Sequence, residues 1–454
     1  MAHDITGPGT SRGPLSSLAQ HVAGSGSGSS HVGRKGPLQG VYLTQLIPTL
    51  LILILSVITM LSCALALGTV SLFSHVAGMG LGIVAAVVIW RYDYRNLANL
   101  TTALFVVSCV LLALPLVPGL GVEGGLGGLG WVHIGPLRFQ PSEPGKLAII
   151  ALMASACAQY NGKIDSFRDY ARLCGTLLIP LLLILVTDLG TGLMIFFTGA
   201  TIIICSGAPR GWILATIALI VGVAALVIIT SQIEGLPHIL QEYQLARLTV
   251  FLDPEGTATE DGYNLQQAMI AIGSGGLLGK GFGNASQALS GFLPAAQTDF
   301  IFATYAEQFG FVGSVVLLAL FAWMILATVL LAMKVESTFS KLILVGCAAL
   351  WTFQVLESVG MCIGIMPITG IPLPFMTYGS SSMVTQSPPW AWYSPCGIIA
   401  RGCLGRAGRS PRGERRPSMA KKVTTGRILD VLSSGRSALR AATSASPCAC
   451  TWTP

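Results

Sequence analysis

Four charged residues stand out between Tyr243 and Gly313, the longest interruption of an otherwise apolar chain: Arg247, Lys280, Asp299 and Glu307. Asp299 lies in QTDFIFATYAEQFGFVG, where a loop turns into an apolar helix. A carboxylate at the mouth of a membrane span is costly to desolvate, which makes it a functional candidate. The same place suits a helix cap, whose negative oxygen offsets the amino-terminal end of the helix dipole. The two readings are compatible and the sequence leaves both open. Arg247, in LARLTVFLDP, carries the planar, permanently charged fork that matches a diphosphate; a solvated surface arginine is the alternative. Lys280, in GKG, could neutralise a phosphate, although the spacing is not that of a nucleotide-binding loop.

A second group lies in GLGGLGWVHIGPLRFQPSEPGK. Trp131 is placed to anchor this loop at a membrane interface. Arg138, Gln140, Ser142, Glu143 and Lys146 crowd the mouth of an apolar segment. A helix start accounts for Ser142 as the cap, with Glu143 and Pro144 in the first turn. It leaves Arg138 and Lys146, which suit an anionic ligand. Asp188, in VTDLGTG, reads as a cap. The piece GYNLQQAMIAIGSGGLLGKGFG reads as a helix and turn lying in the interface. MPITGIPLPFMTYGSSS is broken by Pro and Gly; such backbone is tolerated at membrane depth where it lines a cavity or packs in protein.

The elements that must position these residues are membrane spans. Of 454 residues, 52% are hydrophobic and 10% charged, against about 25% charged in soluble proteins. The fold class is all-α, a polytopic integral membrane protein. Spans are expected over about 42–67, 74–91, 97–117, 144–160, 173–188, 190–208, 211–230, 300–333 and 340–365, each near the ~20 residues needed to cross the hydrocarbon. Residues 1–40, rich in Gly and Ser, read as a disordered cytoplasmic arm. After Gln386 the texture changes. The 387–454 tail holds eleven Lys and Arg against Glu414 and Asp430, a balance of +9, so the rest of the +7 chain carries −2. Nucleic-acid binding by the membrane body has no support. The tail reads as low-order, with a short basic surface helix over 424–442 as the alternative. The eleven cysteines and six histidines show no zinc or disulfide framework.

Lys and Arg in short loops set the orientation. Arg34, Lys35, Arg91, Arg95, Lys163, Arg168, Arg172, Arg210, Lys334 and Lys341 all fall on one side if the amino terminus is cytoplasmic. The opposite loops, 118–143, 231–299 and the region after 365, carry the polar motifs. The working face is therefore expected outside the cytoplasm.

The motifs GPLRFQPSE, TDLGTG, RLTVFLDP, GYNLQQAMIAIGSGGLLGKGFG, FLPAAQTDFIFATYAEQFGFVG and MPITGIPLPFMTYGSSS, in this order over about 42–386, resemble the SEDS family (shape, elongation, division and sporulation). The GKG and MPITGIPLP forms resemble its elongation branch, RodA, rather than its division branch, FtsW. The resemblance implies a domain over 41–386 with a large extracytoplasmic loop between spans seven and eight. It implies a peptidoglycan glycosyltransferase in the bacterial plasma membrane that polymerises lipid II during elongation and shape maintenance. Asp299 would be the general base, and the diphosphate-lipid would leave with inversion. Arg247 and Lys280 would meet the diphosphate; Arg138, Glu143, Trp131 and Glu307 complete the substrate-binding candidates. The partners implied are lipid II, a class B penicillin-binding transpeptidase and other membrane proteins of the elongation complex. No cofactor is implied, although a divalent cation has room beside the diphosphate. The sequence departs from the family at Ala295, Gln297, Gln308, Thr187 and Ser380. It also has nine spans where the family has ten, ending in a tail such as a shifted reading frame would give. A flippase for the lipid-linked precursor and a non-catalytic scaffold of the elongation complex are the competing readings.

Overall fold

The computed structural model describes residues 43–68, 70–91, 94–122, 130–134, 137–231 and 260–386. Each expected span falls on a helix: α1 Leu43–Leu67, α2 Leu72–Arg91, α3 Thr101–Ala113, α4 Ser142–Ala158, α5 Phe167–Leu185, α6 Leu189–Cys205 and α7 Arg210–Ser231. After α8 (Glu260–Gly275) and the single turn α9 (Ser286–Leu289) come α10 (Ile301–Ala332), α11 (Thr338–Cys362) and the short α12 (Ser380–Gln386). Helix α5 begins at Phe167 rather than near Leu173. Its charged first turns stay wet: Arg172 and Asp169 form an exposed pair at 3.4 Å. The amino-terminal arm and the tail lie outside the described residues.

The distribution of polarity decides the solvent. Helix α1 buries Gln45, Thr49, Ser56, Thr59 and Ser62, and leaves Leu50, Ile54, Leu61 and Leu65 exposed. A helix in water does the reverse. In lipid the apolar face needs no cover, and polar residues turn inward. The two inward threonines are satisfied within the helix: Thr49 Oγ1 donates to Gln45 O and Thr59 Oγ1 to Leu55 O, both at 2.8 Å. Among the described residues, Leu43–Leu67, Leu72–Ile89, Ile301–Ala332 and Thr338–Cys362 are each long and apolar enough to cross a bilayer, and several other apolar helices are shorter. Helices α10 and α11 form the centre. Helix α10 packs on α11, α1 and α8; α11 packs on α6 and α4.

Two local features depart from an all-helical reading. Residues 121–139 hold a small antiparallel sheet, β1 Gly121–Val122, β2 Trp131–Ile134 and β3 Leu137–Phe139, in the order β1-β2-β3. The runs WVHI and LRF are short, bounded by Gly and Pro, and give little more than a strand signal in hindsight. The second feature is inside α10, which breaks at Gly310 (φ 66°, ψ −165°). A broken span leaves main-chain groups that lipid cannot satisfy. The turn after α8 supplies them. Lys280 N and Gly281 N donate to Glu307 O and Gln308 O, each at 3.0 Å, while Phe311 N and Val312 N donate to Gly276 O (2.8 Å) and Leu277 O (3.1 Å). Both backbones must come close. A Cβ on Gly310 would lie 2.7 Å from Leu277 O, in a conformation that L residues rarely adopt. Gly310→Ala is therefore expected to destabilise the protein by about 2 kcal/mol or more, from the strained φ and the overlap together. Thermal unfolding in detergent checks this; an unchanged transition would mean that the turn yields easily.

Candidate functional site

Asp299 sits at the mouth of α10, half-buried, one residue before the cap position at Phe300. The capping position is therefore not its own. The loop that carries it is tied to its surroundings through its neighbours. Thr298 N and Phe300 N donate to Ala295 O (3.0 and 3.2 Å), and Tyr378 N donates to Gln297 O at 2.9 Å. Thr304 Oγ1 donates to Ala296 O at 2.8 Å. The Pro- and Gly-broken segment after α11 thus packs against the Asp299 loop. It is irregular and largely buried, with Ile368, Ile371, Leu373, Phe375 and Met376 at 2% exposure or less. This is the condition under which such backbone survives at membrane depth.

Glu307 lies eight residues further along α10, about 12 Å by helix rise, and is fully buried. Its Oε1 accepts from Lys280 Nζ at 2.6 Å, Gln287 N at 3.0 Å and Ser286 Oγ at 3.2 Å; Oε2 accepts from Ala288 N at 3.1 Å. The Ser274 hydroxyl also lies 3.4 Å from Oε1, but its single proton goes to Ala271 O at 2.9 Å. Lys280 gives a second proton to Ser286 Oγ at 2.7 Å. The lysine and the glutamate, separate candidates in the sequence, are one ion pair that fastens the 280–288 loop to α10. The Lys280 side chain as a whole remains 28% exposed.

The third cluster is at the start of α4. Glu143 and Lys146 are buried to 2% and 3% and bonded at 2.7 Å. The other oxygen of Glu143 accepts from Thr385 Oγ1 of α12 at 2.6 Å. The pair joins the first turn of α4 to a helix 242 residues later in the chain. Lys146 is thus partnered within the protein. The cap assigned to Ser142 is corrected: the cap position is Pro141, and the buried Ser142 Oγ has no partner. Asp188 does cap α6, accepting from Thr191 N at 3.0 Å and Thr191 Oγ1 at 2.7 Å.

Trp131 is half-buried on β2, opposite Val122, and Arg138 pairs with His133 across β2 and β3. Arg247 lies outside the described residues. No group of three or more His, Cys, Asp or Glu that could hold a metal occurs among the described residues. Sequence reasoning missed Thr385, and it missed Glu357, buried at the end of α11 and accepting from Thr369 Oγ1 at 2.9 Å. It also missed His75, fully buried on α2. Nothing in the spacing of these residues ties them to the motifs; only the fold does.

This arrangement can be set beside known proteins. Residues 38–390 match the FtsW/RodA/SpoVE family, described as cell cycle protein. The chain belongs to that family. Among its relatives, stage V sporulation protein E of Bacillus subtilis (strain 168) is 32% identical over 67% of this chain and 80% of the relative. Peptidoglycan glycosyltransferase MrdB of Escherichia coli (strain K12) is 32% identical, again over 67% of this chain and 80% of the relative. Among solved structures, a chain described under structural coordination of polymerization and crosslinking by a peptidoglycan synthase complex is similar with a TM-score of 0.64 at 28% identity. The alignment covers 80% of this chain and 98% of that one. The rod shape determining protein RodA of Thermus thermophilus is similar with a TM-score of 0.57 at 26% identity, over 81% of this chain and 98% of that one. The FtsW/RodA/SpoVE fold thus accounts for the described membrane body, and the departures noted at Gln308 and Ala295 fall within it.

Proposed function

We propose that this chain is a peptidoglycan glycosyltransferase of the elongation branch, polymerising lipid II at the outer face of the plasma membrane with its amino terminus in the cytoplasm. The observation that carries the reading is Asp299: a half-buried carboxylate at the mouth of a span, in a loop tied down by its neighbours' main-chain bonds. Relatives at 32% identity bear the name peptidoglycan glycosyltransferase, and the GKG and MPITGIPLP forms favour the elongation branch. Asp299 takes the proton from the acceptor hydroxyl as that oxygen attacks the anomeric carbon of the donor, and the diphosphate-lipid departs with inversion. Positive side chains stabilise the departing phosphates. Arg247 leads this role, Arg138 and the part-exposed Lys280 assist, and Trp131 holds the first outer loop at the interface. Glu143 and Glu307 act indirectly, by fixing α12 and the 280–288 loop. A class B penicillin-binding transpeptidase is the partner proposed for crosslinking, within a larger elongation complex.

The flippase reading would need charged groups near mid-depth. Among the described residues, the buried Glu143, Lys146, Glu307 and Glu357 all lie within about two turns of the helix ends that this orientation puts outside. The test is the purified full chain, with and without the transpeptidase, incubated with lipid II; glycan polymer is the expected product. Lipid II translocation without polymer would favour the transporter. Arg247→Ala is expected to raise the KM for lipid II about tenfold or more, the loss of a charge-assisted diphosphate contact, with unchanged thermal stability. Unaltered kinetics would return Arg247 to the solvated surface.

A further inference from the structure

His75 has no place in the sequence motifs, yet it is fully buried on α2 beside the segment that braces the Asp299 loop. Its ring stacks on Tyr378, with centroids 6.1 Å apart and planes inclined by 18°. Its Nε2 lies 2.9 Å from Ser56 Oγ of α1, and Ser56 Oγ in turn donates to Met376 O at 3.5 Å. With the serine proton directed there, Nε2 is the donor and Nδ1 is left as a bare acceptor. Nδ1 is buried without a partner, an arrangement that costs about 1–3 kcal/mol. Packing alone would be served as well by an apolar ring.

The gripped segment is under strain. Phe375 has φ 62°, and Ala295, in the loop it braces, has φ 51°. Non-glycine residues in this region cost about 1–3 kcal/mol each, and persist only where the surroundings over-determine them. The main-chain bond from Tyr378 N to Gln297 O joins the two strained segments two residues before Asp299. His75 stacks on Tyr378 and Ser56 bonds Met376 O, so both touch the same segment.

We propose that His75 is a positioning residue for glycosyl transfer: its ring, pinned by Ser56, sets Tyr378, and Tyr378 sets the loop that presents Asp299. This rests on Asp299 being the base. A displacement of that carboxylate by about 1 Å lowers turnover by up to about 100-fold without removing any substrate contact.

The test compares three variants of the full-length protein, with rates from lipid II expressed per folded molecule. His75→Ala removes ring and bond, and is expected to lower kcat at least about tenfold with KM within about twofold. His75→Phe keeps a ring over Tyr378 but loses the bond to Ser56 that pins it, and is expected to fall about threefold or more below the parent while staying above the other two variants. His75→Gln can reach Ser56 but has no ring, and is expected to match His75→Ala. Any other order of kcat among the three overturns the proposal, including three equal values with only the yield of folded protein reduced. Should His75→Ala fail to fold, the order of the Phe and Gln variants still decides. Asp299→Asn is run alongside. If it keeps the parent's kcat, the reading of the base fails. If it is inactive while the His75 order is wrong, only the positioning role fails.

Discussion

Asp299→Asn is expected to abolish glycan polymerisation from lipid II while the protein still folds. Asparagine keeps the shape of the side chain and one hydrogen-bonding oxygen, but no oxygen basic enough to take a hydroxyl proton. A positioned general base contributes about 10²–10⁴-fold to rate, so turnover should fall by at least that much. Folding should survive, because the loop is fastened through Ala295 O, Ala296 O and Gln297 O, none of which the substitution alters. The variant also separates the two roles the sequence allows at this position. Asparagine caps a helix about as well as aspartate, so a purely capping Asp299 would make the change nearly silent. Polymer yield from purified protein, normalised to the folded fraction, is the measurement. Undiminished polymer would remove Asp299 from the mechanism.

The membrane body was legible because lipid imposes a simple rule on composition and length. Apolar runs of about 20 residues are hard to hide, and most helix ends moved little; α3 is shorter than expected at both ends, where 3-10 turns take over, and Arg168, Asp169 and Arg172 extend α5 into water. Asp188 as a cap was legible too, since a cap is local: the residue and the N–H it serves lie three positions apart. What stayed hidden was tertiary. The break at Gly310 is one glycine within a long apolar stretch, and its partner turn lies some thirty residues earlier. A glycine in a helix more often costs a little stability than breaks the span. Lys280 and Glu307 are each visible in the sequence as charges, and each reads there as facing a substrate. That they face one another depends on how α8 returns along α10. Glu143 and Thr385 are separated by most of the chain, and no periodicity links them. The sheet over 121–139 was hidden for a different reason: its strands are two to four residues long, too short for alternation to register.

The Lys280–Glu307 pair gives the second large effect, and its direction separates a structural clamp from a phosphate site. Removing the glutamate should be worse than removing the lysine. Glu307→Ala strands the N–H groups of Gln287 and Ala288, which are fixed by the main chain and cannot turn to water. Each buried donor left unsatisfied costs about 1–3 kcal/mol, so a loss of about 3 kcal/mol is expected. The lysine, 28% exposed, can swing outward and adds little to that loss. Lys280→Met leaves the carboxylate with two N–H groups and the Ser286 hydroxyl, and should cost about 1–2 kcal/mol, the value of a single charge-assisted bond less screening. Glu307→Gln keeps one accepting oxygen and should fall between the two. The measurements are thermal unfolding in detergent and protease cleavage within 276–288, with the KM for lipid II determined on the same samples. A clamp predicts that stability falls in the order Lys280→Met, Glu307→Gln, Glu307→Ala. Cleavage should rise in step, because the loop loses its fastening to α10. Lys280→Met with parental stability and a raised KM would instead assign the ammonium to the diphosphate. Glu307 would then serve to orient it.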